Sequence, residues 1–205
     1  MDTGTFLYEQ ETNDPQSYYW FEHGLSSEEV DQIIRISSEL PEAERASTLG
    51  DETGGGTRSS MIKWLPRNQT FDWLYERMIS MSKEANQALW GFDLISSLEA
   101  IQYTEYYASE KGHYDWHQDI GVGELPSKRK VSITIQLSGA DEYEGGDLLI
   151  CTGSNGTGEL DNNLVMPRGK GVGVLFPSYM MHRVTPVTRG VRRSLVLWVG
   201  GAHYR

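Results

Sequence analysis

The chain has 205 residues, enough for one domain with a substantial core. Its 18 Lys and Arg against 29 Asp and Glu leave a formal net charge of −11 at pH 7. With no basic run it lacks the clustered cations that nucleic-acid phosphates require, so no nucleic-acid partner is expected. One cysteine, Cys151, excludes an internal disulfide framework and a Cys-based zinc cluster. No apolar leader and no run of membrane-spanning length appears, so a soluble, intracellular (cytoplasmic) protein with no membrane partner is expected.

Residues 1–17 are polar and without a clear period, and read as a loose or edge segment. Ser26-Ser-Glu-Glu29 has the capping-box pattern that opens a helix, and Val30, Ile33, Ile34 and Leu40 continue it as an apolar stripe until Pro41. Residues 47–57, rich in Gly, Ser and Thr, read as a mobile loop. No Lys-Ser/Thr follows Gly54-Gly55-Gly56, so the loop is not a phosphate cradle. Met61–Leu65 reads as a short strand stopped by Pro66. Phe71, Leu74, Met78, Met81, Ala85 and Leu89 place one face of a long helix over 69–90 on the core, and Gly91 ends it.

From about residue 98 the pattern changes to strands. Residues 98–107 form one. Residues 120–128 form a Gly- and Pro-containing loop. Val131–Leu137 alternates strictly, with Val131, Ile133, Ile135 and Leu137 on one face and Ser132, Thr134 and Gln136 on the other. Further strands are read at 147–151, 171–176, 182–187 and 191–199, with a flexible loop at 152–163. Cys151 ends an apolar run and reads as a small buried residue. The whole is an α+β chain of one domain: a helical N-terminal support over 1–97 and a sandwich or barrel over 98–205.

The chemistry is concentrated at two places. His117 and Asp119 are two residues apart, which on a strand puts an imidazole and a carboxylate on one face. His182, where a turn feeds a strand, is a candidate third ligand. Two histidines and one carboxylate form the facial set that suits non-haem iron and leaves positions open for substrate and O₂. In the last strand, period two puts Arg192, Ser194, Val196 and Trp198 on one face and Arg193, Leu195, Leu197 and Val199 on the other. Both faces are largely apolar, so the strand is covered on both sides and a buried Arg needs an anion. That anion is either a protein carboxylate or the carboxylate of a small ligand; the period does not choose.

Three ordered pieces are similar to the iron- and 2-oxoglutarate-dependent oxygenases, in particular the prolyl 4-hydroxylase branch and its prolyl/lysyl hydroxylase-domain relatives. They are His117-x-Asp119, Tyr143-Glu-Gly-Gly-Asp-Leu148 and His182-Arg-Val-Thr-Pro-Val-Thr-Arg-Gly190, with Arg192 ten residues after His182. The resemblance covers about residues 98–200. It implies a double-stranded β-helix (jelly-roll) core, Fe(II) held by His117, Asp119 and His182, 2-oxoglutarate and O₂ as co-substrates, and ascorbate as an accessory. It assigns Arg192, Ser194 and Tyr107 to the oxoglutarate. Gln136, where several prolyl hydroxylases have Tyr, is a further candidate on that side because it still donates a hydrogen bond. Tyr114, Arg129 and Trp198 fall to the substrate, and residues 120–128 and 47–57 are lid candidates. The implied activity is hydroxylation of proline in a peptide or protein. Alternatives are lysyl or free amino-acid hydroxylation, a nucleic-acid demethylase, which the charge disfavours, and a non-enzymatic jelly-roll that binds a metal or small ligand.

Overall fold

The computed structural model describes residues 17–41, 43–46, 56–97, 99–154 and 160–202. The expectations for residues 1–16 and for the glycine loop at 47–55 lie outside them. The N-terminal part holds β1 (Tyr19–Phe21), α1 (Ser27–Glu39), β2 (Glu44–Arg45), β3 (Arg58–Ser59), β4 (Met61–Leu65), α2 (Asp72–Ala85) and β5 (Leu94–Ser97). The C-terminal part holds β6 (Ile101–Tyr107), β7 (His113–His117), β8 (Arg129–Gln136), β9 (Tyr143–Gly145), β10 (Leu148–Ser154), β11 (Leu160–Val165), β12 (Gly173–Pro177), β13 (His182–Val184) and β14 (Val187–Gly201).

The capping box forms as read. Ser26 Oγ accepts from Glu29 N at 3.2 Å and Glu29 Oε2 accepts from Ser26 N at 2.8 Å, so two orphan donors of the first turn are satisfied reciprocally. α1 buries Val30 and Ile33. Its last turn has no basic residue of its own; Lys63 Nζ instead donates to the carbonyls of Ser37 and Leu40, placing a cation at the negative end of the helix. α2 buries Leu74, Tyr75, Met78, Met81 and Ala85, then loosens into one π-helical turn over Asn86–Trp90. Gly91 closes it in the left-handed region, φ 65°. Both ends of the Asn86 amide tie to the backbone of Phe92.

Among the described residues the strands form two antiparallel sheets. The major sheet runs β1-β12-β8-β14-β6-β4-β2, with β5 and β9 also on β14; the minor runs β11-β10-β13-β7-β3. From β7 onward the chain crosses between them: β7 minor, β8 major, β10 and β11 minor, β12 major, β13 minor, β14 major. That alternation winds the core as a double-stranded β-helix. The outer face of the major sheet (Val131, Ile133, Ile135, Leu195, Leu197) packs against α1 and α2. The inner faces meet through Tyr106, Leu148, Ile150, Val174, Phe176 and Val184. Cys151 is buried.

Two differences from the sequence reading stand out. The N-terminal part is not only helical support, since β1 and β4 extend the major sheet and β3 the minor one. Part of the expected loop at 152–163 is β11, whose Leu-Asp-Asn-Asn sequence lacks an apolar alternation. It pairs with β10 at an edge, where only one neighbour is needed.

Candidate metal centre and its cavity

His182 and His117 are paired residues of adjacent strands, β13 and β7, so their rings lie side by side with centroids 4.1 Å apart. β7 ends at His117, and Asp119 sits in the bend just beyond, not on the strand as the two-residue spacing suggested. Its backbone N–H bonds Ser178 O at 2.9 Å, which turns the side chain back towards the histidines. His117 Nε2 lies 3.7 Å from Asp119 Oδ1, and His182 Nε2 lies 3.6 Å from Asp119 Oδ2. One potential ligand atom from each of the three lies within 4.8 Å of the others.

The donor chemistry fits a divalent cation. His117 Nδ1 is 2.8 Å from Asp115 O, and His182 Nδ1 is 2.9 Å from Met180 O. A carbonyl only accepts, so each Nδ1 carries the proton and each Nε2 presents a lone pair to the centre. Burial, then the neighbouring His182, lowers the His117 pKa to about 3, so it is neutral at physiological pH. Burial would raise the Asp119 carboxyl. His182, His117 and the Ser132 hydroxyl together outweigh it and hold the group below the usual carboxylate range. Ser132 Oγ donates to Asp119 Oδ2 at 2.6 Å and lies 3.0 Å from Ser178 Oγ, fixing the carboxylate. Ring contacts brace the histidines: Tyr114 stacks on His117 at 3.4 Å and Phe176 tilts against His182 at 4.6 Å.

These groups open into a cavity of about 680 Å³ between the sheets. Arg192 lines it from β14, only 1% exposed and the largest fully buried side chain described. Its Nη1 donates to Ser194 Oγ at 3.2 Å, its Nε has no partner, and no described carboxylate lies within ion-pair distance. A buried guanidinium without an anion is costly, so the site is built for an anionic ligand. The period-two reading of the strand left two partners open for this arginine; a protein acid is excluded among the described residues. Its neighbour Arg193 points to the opposite face and pairs with Glu105 at 2.9 Å.

Not every expected residue stands where the sequence suggested. Tyr107 is not on the cavity face. Its hydroxyl donates to Glu105 Oε2 at 2.7 Å, and burial with that carboxylate raises its phenol to about 12. The residue that lines the cavity is Tyr106, with the Arg192 guanidinium 5.3 Å from its ring. Counting back from His117 gives Tyr107, whereas the tyrosine on the cavity face is its neighbour, because one residue along a strand is the other face. Gln136 is buried opposite Ser194 on β14, with its Oε1 unpartnered, but it does not line the cavity.

Arg129 lines the cavity and bonds its own neighbours through all three nitrogens. It holds Glu99 through two bonds (2.6 and 2.5 Å), donates to Asp119 O at 2.9 Å, and lies 3.9 Å over the Trp198 ring. It therefore braces the bend that carries Asp119, from a place on the cavity wall where a substrate contact is expected. Trp198 and Tyr114 both line the cavity. In the lid candidate at 120–128, Gly121, Val122 and Pro126 form part of the wall. Ser132 was missed as a positioning group. Alternation puts it on the face opposite Val131 and Ile133, but nothing local says that it meets Asp119.

The sequence model of the 2OG-Fe(II) oxygenase superfamily matches residues 101–200 of this chain. A PKHD-type hydroxylase of Synechococcus sp. (strain CC9605) is 31% identical over 147 residues, 70% of this chain and 62% of that protein. One of Verminephrobacter eiseniae (strain EF01-2) is 35% identical over 101 residues, 45% of this chain and 40% of its own. The chain thus spans less than two thirds of these relatives. The fold matches a Pseudomonas putida prolyl-4-hydroxylase (TM-score 0.68, 20% identity, 91% of this chain and 93% of that one). It also matches a Trichoplax adhaerens prolyl hydroxylase solved with a hypoxia inducible factor oxygen degradation domain peptide fragment (TM-score 0.71, 16% identity, 91% and 84%). The core is the double-stranded β-helix of these enzymes. The family's iron and 2-oxoglutarate meet a donor set and a buried cation that suit them.

Proposed function

We propose that the chain is an Fe(II)- and 2-oxoglutarate-dependent dioxygenase that hydroxylates an amino-acid residue, with proline in a peptide or protein as the leading substrate. The observation that carries this reading is Arg192, with no acid among the described residues, in the same cavity as three convergent side chains of metal-ligand type. His117, Asp119 and His182 would hold Fe(II) on one face and leave the other open. Arg192, with Ser194 beside it, would take the distal carboxylate of 2-oxoglutarate. Iron and co-substrate supply the oxidising chemistry: O₂ is split, 2-oxoglutarate becomes succinate and CO₂, and one oxygen atom enters a substrate C–H bond. The protein fixes the ligands through Asp115 O, Met180 O and Ser132 Oγ, and excludes water with Phe176, Leu148 and Trp198. A five-carbon dicarboxylate fills only a fraction of the cavity, which leaves room for a side chain.

Proline is supported by the prolyl hydroxylases among the structures of like fold, one of them bound to a peptide, and hydroxylation by the PKHD-type hydroxylases among the relatives. The test is succinate release from 2-oxoglutarate under air by Fe(II)-loaded protein, with and without proline peptides, and with ascorbate present or omitted. Succinate together with a peptide that gains one oxygen atom on proline is the expected result. Succinate without peptide oxidation would turn the search to lysyl and free amino-acid substrates. None at all from metal-loaded protein would favour a binding module.

A further inference from the structure

The charged side chains that line the cavity, among the described residues, are three cations, Arg58, Arg129 and Arg192, and one anion, Asp119. Three of the four have a use. Arg129 is paired with Glu99, Asp119 faces the histidines, and Arg192 awaits the co-substrate. Arg58 is left over. It is partly buried, and its hydrogen bonds all go to neutral acceptors: Nε to Ser60 Oγ at 2.8 Å and Nη2 to Gln102 Oε1 at 2.9 Å. No described carboxylate lies within ion-pair distance of it, although Arg45 and Arg193 each have theirs in Glu110 and Glu105.

Arg58 is also held still. Gln102, its acceptor, takes a second bond from Thr104 Oγ1 at 3.2 Å, and the guanidinium lies 4.6 Å over the Tyr114 ring. Tyr114 in turn stacks on His117 at 3.4 Å, so Arg58 stands two ring spacings from a metal-ligating side chain. It is remote from the Arg192 end. Gln102 and Tyr106, the β6 residues that these two arginines contact, are four apart, about 13 Å of strand at ~3.3 Å per residue. The two guanidinium groups thus contact separate stretches of β6.

We propose that Arg58 is the specificity-determining residue of the substrate end of the cavity and that it binds a carboxylate of the substrate close to the residue that is oxidised. The inference rests on the oxygenase reading of the same site. An oriented, partly desolvated guanidinium without an anion is preorganised for a bidentate carboxylate. The surrounding charge of −11 repels free anions, so selection has to come from a local cation. The carboxylate has three sources: an acidic side chain next to the target proline, a peptide C-terminus, or a free amino acid.

The experiment compares matched probes on protein loaded with Fe(II) and 2-oxoglutarate. They are acetyl-Gly-Pro-Glu-Gly-amide against its Gln counterpart, acetyl-Gly-Pro as free acid against amide, and free proline against prolinamide. Two readouts are taken: succinate release under air, and binding under argon followed by Trp fluorescence. A charge-assisted bond of this kind predicts that at least one acid member is preferred by about ten- to a hundredfold. That ratio should fall to near one in Arg58→Gln and be kept in part by Arg58→Lys. The pair that shows it identifies the source. Equal handling of acid and amide by the wild type in all three pairs overturns the inference, as does a preference that survives Arg58→Gln. Succinate release with no acid preference sinks Arg58's role and leaves the oxygenase. Acid-selective, Arg58-dependent binding without succinate sinks the oxygenase and leaves Arg58 as an anion site.

Discussion

Two arginines one position apart on β14 have opposite fates. Arg192 is buried against Tyr106 and Ser194 with no acid among the described residues; Arg193 is on the other face, paired with Glu105. Arg192→Ala is therefore expected to raise the KM for 2-oxoglutarate by about 10- to 150-fold, the worth of a charge-assisted bond of roughly 1.5–3 kcal/mol. Arg193→Ala should leave that KM within a few-fold and cost only about 1 kcal/mol of stability, since its pair is partly exposed. Steady-state succinate assays on the two variants check this, and equal effects on KM would remove Arg192 from the co-substrate site. The same scale explains the tyrosines. Tyr106 and Tyr107 are chemically alike, and only the strand's facing puts one in the cavity and the other on Glu105.

Secondary-structure elements supply the rigidity that single residues need. The turn after β9 passes so close to Arg192 that Gly146 has no room for a side chain. A Cβ there would lie 2.9 Å from Val187 Cγ2 and 3.0 Å from Arg192 Cδ, and its φ of +64° is already left-handed. Gly146→Ala is expected to destabilise the protein by roughly 2–4 kcal/mol and to raise the 2-oxoglutarate KM several-fold by displacing the Arg192 stem. Gly139→Ala is the control. Its φ is not in the left-handed region, and its Cβ would approach most closely the flexible Asp141 Oδ1 at 2.9 Å. Denaturant unfolding and the same kinetic assay should find Gly139→Ala near wild type. A harmless Gly146→Ala would show that the turn has slack. The capping box of α1 and the Gly91 end of the π turn work at this scale too, and both follow from local sequence alone.

Across the whole molecule, the Arg129–Glu99 pair joins parts distant in sequence. One guanidinium ties the segment before β6, the start of β8, the Asp119 bend and the Trp198 ring. Both side chains are largely buried, at 14% and 16% exposure, so removing one charge strands the other. Glu99→Gln is expected to cost about 2 kcal/mol, a fall of roughly 4–8 °C in Tm for a chain of this size, read by thermal unfolding. No change in Tm would mean that water replaces Glu99 at no cost. Charge is also distributed at this scale. The chain is acidic as a whole, yet cations outnumber anions around the cavity. No described helix is long and apolar enough to cross a membrane.

What the sequence determined by itself is what depends on near neighbours. The Ser26 cap, the α2 stripe, the alternation of Val131–Leu137 and the facing of Arg192 and Ser194 are all periodic or positional signals within a few residues, and each appears in the structure. The His117, Asp119 and His182 motif could be read because ligand residue types are rare and their order along the chain is simple. Only the tertiary structure decided which tyrosine faces Arg192, that Ser132 bonds Asp119, that Arg129 pairs with Glu99, and that Arg58 has no acid among the described residues. Each of these depends on two strands, or a strand and a turn, brought together from 13 to 86 residues apart. A contact of that kind leaves no period in the sequence. It is set by sheet register, where a slip of one residue reverses every side chain.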